Sequence, residues 1–142
     1  MTGFTSKAQV DIAASPPKVW RALTDPDVIP RYFFGSRVTT DWKPGSAISW
    51  KGEWQGKPYE DKGRVLEVEP NQHLKFTHFS ALSGAADKPE NYHTIAINLS
   101  GQGQTTRVSL SQDNNRNEEE AEHSSQNWNQ MLRGLKTTVE SM

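Results

Sequence analysis

Apolar residues recur at every second position through most of this chain and at every third or fourth position near its end. Over residues 7–13, Ala8, Val10 and Ile12 share one face, the period of a half-buried strand. Ser15 then stands where a helix can start. Pro16 and Pro17 are tolerated in a first turn, whose N–H groups have no helical partner. Val19, Trp20 and Leu23 form the apolar side of this short helix, and Pro26 and Pro30 prevent a long continuation.

The same reading predicts strands over 36–42, 46–54, 57–69, 73–80, 92–100 and 105–112. Ile48 and Trp50 share a face in the second of these, and Val65, Leu66 and Val68 supply the apolar end of the third. Leu74, Phe76 and His78 alternate with Lys75, Thr77 and Phe79. His93, Ile95, Ile97 and Leu99 lie in one phase, and Val108 and Leu110 point one way. Lys43-Pro44-Gly45, Pro70-Asn71 and Gly101-Gln102-Gly103 are turn signals between strands, so the links are short and the meander antiparallel. Residues 81–91 read as an exposed loop and a candidate lid.

The final segment has helical spacing: Ala121, Ser125, Trp128, Met131, Leu132, Leu135, Val139 and Met142. Asn117 and Glu120 make a capping pair, and Glu118, Glu119, Glu120 and Glu122 sit at the positive end of the helix dipole. About 24 residues at 1.5 Å each span roughly 36 Å, enough to cross a small sheet. Gly134 inside the helix is expected to mark a close approach to that sheet. A run of strands followed by one long helix predicts an α+β fold, a single domain over residues 1–142.

Composition narrows the function. The 142 residues carry a net charge of −1 with both signs interspersed, so no strong field attracts nucleic acid or an anionic membrane. No apolar run is long enough to span a bilayer and no secretory leader is visible, which points to the cytoplasm. The apolar fraction is only 33%, so the five tryptophans matter for the core. Without cysteine, thiolate catalysis and Cys-based metal sites are excluded. No phosphate loop, dinucleotide fingerprint, nucleophile elbow or His-Glu-x-x-His is present, and no cofactor or metal is expected.

Several pieces, in this order and spacing, resemble one superfamily. They are VDIAASPPKVWRALTDPDVIPRYF, the turn Trp42-Lys43-Pro44-Gly45, the segment from Tyr59 to Val65, Pro70-Asn71-Gln72-His73-Leu74, and the terminal run from Trp128 to Lys136. The chain resembles the START-like (SRPBCC) helix-grip proteins, within them the group related to the C-terminal domain of activators of the Hsp90 ATPase. The resemblance implies a curved antiparallel sheet wrapped around the C-terminal helix, with two short helices after the first strand and an apolar cavity between sheet and helix. It implies a small hydrophobic molecule as partner, with a chaperone or a second copy of the chain as alternatives. Dedicated activators carry a further N-terminal domain, whereas this chain starts at the first strand, which weighs against the chaperone reading.

Candidate ligand contacts are Phe33, Phe34, Trp50, Trp54, Tyr59, Phe76, His78, His93 and Trp128. His78 and His93 are also the weak catalytic candidates, because imidazole titrates near neutrality and both lie in phase with inward-facing residues. Glu53 and Glu60 offer carboxylates, though strand glutamates are usually solvated. Three functions follow: binding of a hydrophobic ligand without reaction, a cyclase- or hydrolase-type enzyme using a cavity histidine, or a chaperone-linked module stimulating the Hsp90 ATPase.

Overall fold

The computed structural model of the chain describes residues 3–33, 35–80 and 86–142. The elements are β1 (Phe4–Ile12), α1 (Pro16–Thr24), α2 (Ile29–Tyr32), β2 (Arg37–Thr39), β3 (Ala47–Trp54), β4 (Lys57–Glu69), β5 (His73–His78), β6 (His93–Gln102), β7 (Thr105–Asn115) and α3 (Glu118–Glu140). A 3₁₀ turn, Pro89–Asn91, precedes β6. The seven strands form one curved antiparallel sheet in the order β1-β7-β6-β5-β4-β3-β2. This is the helix-grip fold, with α3 lying against the sheet.

Alternation along the strands sends Ile12, Ile48, Leu74, Ile95 and Val108 inward, each no more than 2% exposed. Leu132, Leu135 and Val139 of α3 meet them and are fully buried. Each such side chain contributes about 1.5–3 kcal/mol by leaving water. At the start of α3 the Asn117 side chain accepts the Glu120 N–H at 2.8 Å, the cap that the sequence implied.

Four local expectations are corrected. Ser15 is the N-cap of α1, but its hydroxyl makes no cap bond. Pro17 has no N–H to offer, and the Lys18 N–H goes to the Ser15 carbonyl at 3.1 Å. β2 ends at Thr39, well short of residue 42, because Trp42 adopts φ 58° while the Asp41 carboxylate accepts the Lys43 N–H at 3.0 Å. Val65 is buried and its neighbour Leu66 is 38% exposed, as alternation requires, while the register shift between Val65 and Glu67 brings Val68 back against the core. Met142 is 40% exposed, lying beyond the last turn of α3. Gly134 approaches α2, not the sheet: a Cβ there would sit 3.3 Å from Cβ of Tyr32.

At Gly63 β4 lies between both of its neighbours: pairing with β3 runs on to Arg64, while Lys62 bridges to Phe79 and Val65 pairs with Phe76 of β5. A Cβ on Gly63 would lie 1.7 Å from the Thr77 carbonyl oxygen, so only glycine lets the strands cross so closely.

Polar bonds fix α3 on the sheet. Ser6 donates to the Ala121 carbonyl at 3.0 Å and accepts from Asn115 Nδ2 at 2.9 Å. Asn115 Oδ1 accepts from Gln112 Nε2 at 3.3 Å, and Gln112 Oε1 accepts the Trp128 indole N–H at 2.7 Å. Ser6, Gln112 and Asn115 are all buried. Thus a four-residue relay runs from β1 through β7 to α3. Along the β1 edge, the Lys7 N–H donates to Ser125 Oγ at 3.1 Å and the Ala13 N–H to Glu140 Oε2 at 2.8 Å. Those side chains occupy edge groups that would otherwise invite another strand. The Ala13 N–H, and after it the Lys136 ammonium, hold the Glu140 carboxyl below its ordinary range.

Gly63→Ala should cost about 3 kcal/mol or more, read from urea denaturation, because backbone stands where the methyl must go. Gln112→Leu should cost about 2 kcal/mol in the same assay by leaving the Trp128 N–H and Asn115 Oδ1 unpaired. A carboxyl depressed on folding adds stability above its unfolded value, and that stability is lost as pH falls through the lower folded value. Glu140→Gln should therefore flatten the stability profile below the ordinary value of 4.5, leaving a smaller loss on acidification than in the parent.

Candidate functional site

The apolar space between sheet and α3 is built from three directions. The sheet supplies Ile48, Trp50, Leu74, Phe76 and Ile97. The helices after β1 supply Leu23, Ile29 and Tyr32, with Phe33 at the end of α2. Val38 and Trp42 flank β3, and Trp128 and Met131 project from α3. Trp50 and Phe76 are buried, whereas Phe33, Trp42 and Trp128 are half-exposed at the rim. Phe33 and Trp128 meet with ring centroids 6.0 Å apart and planes tilted by 55°.

Tyr32 carries the lone hydroxyl of that lining, and it donates to the Ala22 carbonyl at 2.8 Å. Burial, reinforced by Asp25, pushes this phenol far above its ordinary value, so it stays neutral. The enclosed space is about 30 Å³, room for one or two water molecules. Pockets for drug-sized ligands run to roughly 300–1,000 Å³. Side chains therefore nearly fill the cavity that the resemblance implied, and what remains is a narrow apolar, aromatic seam. Wider hollows, of about 730 and 470 Å³, lie on the outer face of the sheet as open shelves between polar side chains.

His78 and His93 are direct partners across β5 and β6, so the strand phase inferred for them holds. Their surroundings differ. His78 Nε2 bonds Asp61 Oδ2 at 3.1 Å, and its ring meets the Trp50 ring at 4.9 Å, nearly perpendicular. His93 instead donates Nδ1–H to the Asp113 carbonyl at 2.9 Å. Trp50 lies between Phe76, at 5.4 Å, and His78, and so joins the apolar seam to the histidine.

Tyr59 is elsewhere: its hydroxyl shares a 2.7 Å hydrogen bond with Ser36, and its ring crosses Gly52. Glu53 and Glu60 are exposed, and Glu60 pairs with Lys51 at 3.5 Å. Phe34 and the Trp54 side chain lie outside the described residues, as do positions 81–85 of the loop. The rest of that loop is fastened down. Asp87 pairs with Lys62 and accepts from Tyr92 at 2.6 Å, while Asn114 donates to the Glu90 carbonyl at 2.8 Å.

The sequence reading missed Asp61 and Trp42. Asp61 pairs with Trp50 across β3 and β4, and so shares the phase of Val65 two pairs further on. That alternation was the available signal: an aspartate on the inward phase of a strand. Trp42 reaches the seam through its positive φ, which periodicity does not encode. Among the described residues no cluster of three or more His, Asp or Glu is arranged to hold a metal. No helix of the described residues is long and apolar enough to cross a membrane.

Comparison with known proteins agrees with this architecture. A protein from Cytophaga hutchinsonii, ChR145, is 46% identical, with a TM-score of 0.86 over 99% of this chain and 97% of its own. The Aha1 dimer from Colwellia psychrerythraea is 23% identical, with a TM-score of 0.75 over 96% of each chain. Ara h 8.0201, at 11% identity, still reaches a TM-score of 0.75 over 98% of this chain and 99% of its own, a likeness of fold alone. Among curated proteins none matches. The family model for activator of Hsp90 ATPase homolog 1-like proteins matches residues 13–140. The chain therefore belongs to the activator of Hsp90 ATPase homolog 1-like family.

Proposed function

We propose that this protein binds a small hydrophobic molecule between the sheet and α3, without transforming it. The observation that carries the reading is the seam itself. Its lining is apolar, the one hydroxyl is already satisfied, and three aromatic rings at its rim are half-exposed. Those rings keep apolar surface in water that a ligand would cover, at about 25 cal/mol for each Å² removed.

A seam of 30 Å³ has to open first. The ring that has to give way is Phe33, at the end of α2 and against Trp128. α2 is a single turn of four residues, and Gly35 beyond it has φ 72°. Tyr32, seated against Gly134, stays as the anchor. Swinging Phe33 away from Trp128 widens the mouth without unpacking the core beneath. The ligand's affinity is then its contact energy less the cost of opening.

Naphthalene is a suitable probe, followed through the indole N–H signals in ¹H–¹⁵N NMR. The signals of Trp42, Trp50 and Trp128 should shift saturably, while that of Trp20 stays in place. Trp128→Ala should weaken binding about tenfold, equivalent to about 1.4 kcal/mol. No saturable shift up to the solubility limit would sink the reading.

Family membership favours a second reading, a module that acts on a chaperone. The Colwellia relative is an Aha1 dimer, which also makes self-association a natural partner state. On this reading, adding the protein to Hsp90 raises its ATPase rate. An unchanged rate, with no binding at high micromolar concentration, removes it.

A further inference from the structure

We infer that His78 is the polar anchor of the seam, accepting a hydrogen bond from the O–H group of an otherwise apolar ligand; this rests on the binding reading above. Asp61 sets the tautomer of the ring. A carboxylate can only accept, so the imidazole nitrogen that faces it, Nε2 at 3.1 Å, carries the proton. In the neutral ring the other nitrogen, Nδ1, is then a lone-pair acceptor. Among the described residues Nδ1 has no hydrogen-bond partner, and no buried side-chain nitrogen or oxygen lacks one, so Nδ1 reaches solvent. The His78 side chain is 18% exposed and Asp61 15%, which leaves the pair shielded but accessible.

Placement makes this nitrogen more than a strand-end feature. Phe76 and His78 point the same way on β5, roughly 7 Å apart along the strand. Trp50 touches both rings. A molecule resting on Trp50, with its apolar body toward Phe76, would carry a hydroxyl to His78. The edge of Trp50 and the Asp61 carboxylate together fix the imidazole, so the acceptor is already oriented when the ligand arrives. His93 is placed differently. Its Nδ1–H goes to the Asp113 carbonyl, so its Nε2 can accept too, but among the described residues its ring meets no aromatic ring of the seam and lies in the field of Glu120 at the start of α3.

The ligand class that fits is an apolar ring system carrying a hydroxyl, a proton donor that a ketone or ether lacks. A matched pair of probes, naphthalene and 1-naphthol, separates this inference from the binding reading. In the parent protein 1-naphthol should bind about tenfold tighter, the gain from one hydrogen bond in a shielded site. The preference should vanish in His78→Phe, with naphthalene bound about as before. Independently of any variant, the ¹⁵N signal of His78 Nδ1 should move on adding 1-naphthol and stay still with naphthalene. Saturable binding of both probes with equal affinity and an unmoved Nδ1 would overturn the inference and leave the binding reading intact. A preference that survives in His78→Phe would overturn it too. Failure of both probes to bind would remove both readings. Should His78→Phe not fold, the Nδ1 signal of the parent decides alone.

Discussion

The fold depends on one contact surface, the apolar stripe of α3 pressed into the curve of the sheet. Leu132, Leu135 and Val139 are fully buried there, and none of them has another place to go. The sheet curves to receive them, and at Gly63 the strands β4 and β5 come so close that no side chain fits between them. The helix in turn has to come close enough to α2 that position 134 tolerates little beyond hydrogen. Sheet curvature and helix proximity are thus two halves of the same packing requirement.

The balance between a cavity and a core is set within that surface. Most of the seam is filled by large rings, and ring packing decides how much space remains. The polar relay from Ser6 to Trp128 matters in this respect, because it fixes one of those rings through its N–H while leaving its face to the seam. Family membership leaves open which chemistry such a seam serves, since one scaffold hosts many functions. What the seam could do here therefore turns on Trp50, His78 and Asp61, more than on the architecture around them.

Much of the architecture could be read from periodicity. The two-residue alternation in the strands and the three-to-four spacing of α3 report directly which face is buried, and burial is what the fold is built on. Where local backbone geometry intervened, the pattern was blind: Trp42 leaves the expected strand through a positive φ, and Val68 returns to the inner face only through a bulge. The candidate site was readable in part. Phe33, Trp50, Phe76 and Trp128 do converge, and His78 and His93 are neighbours. Tyr59 lies in the same phase as Asp61, yet it reaches across its own hairpin to Ser36. Asp61 was overlooked because its meaning lies in a residue seventeen positions away, and separation of that kind is set by register. Seam volume was out of reach altogether, for it depends on ring orientations at the scale of one methyl group.

Among the described residues the first strand has its one strand partner in the last, and the clasp of α3 over it joins Ser6 to Ala121 and Ala13 to Glu140, separations of 115 and 127 residues. On a ribosome this means that β1 emerges first and waits longest. Its edge and its inward face find their native partners only when nearly the whole chain has been made. The β2–β7 meander can assemble locally meanwhile, but the hydrophobic surface it presents stays uncovered until α3 arrives. Closing such long loops is entropically slow, so this topology gives late, cooperative folding in which both ends of the chain lock together in one step.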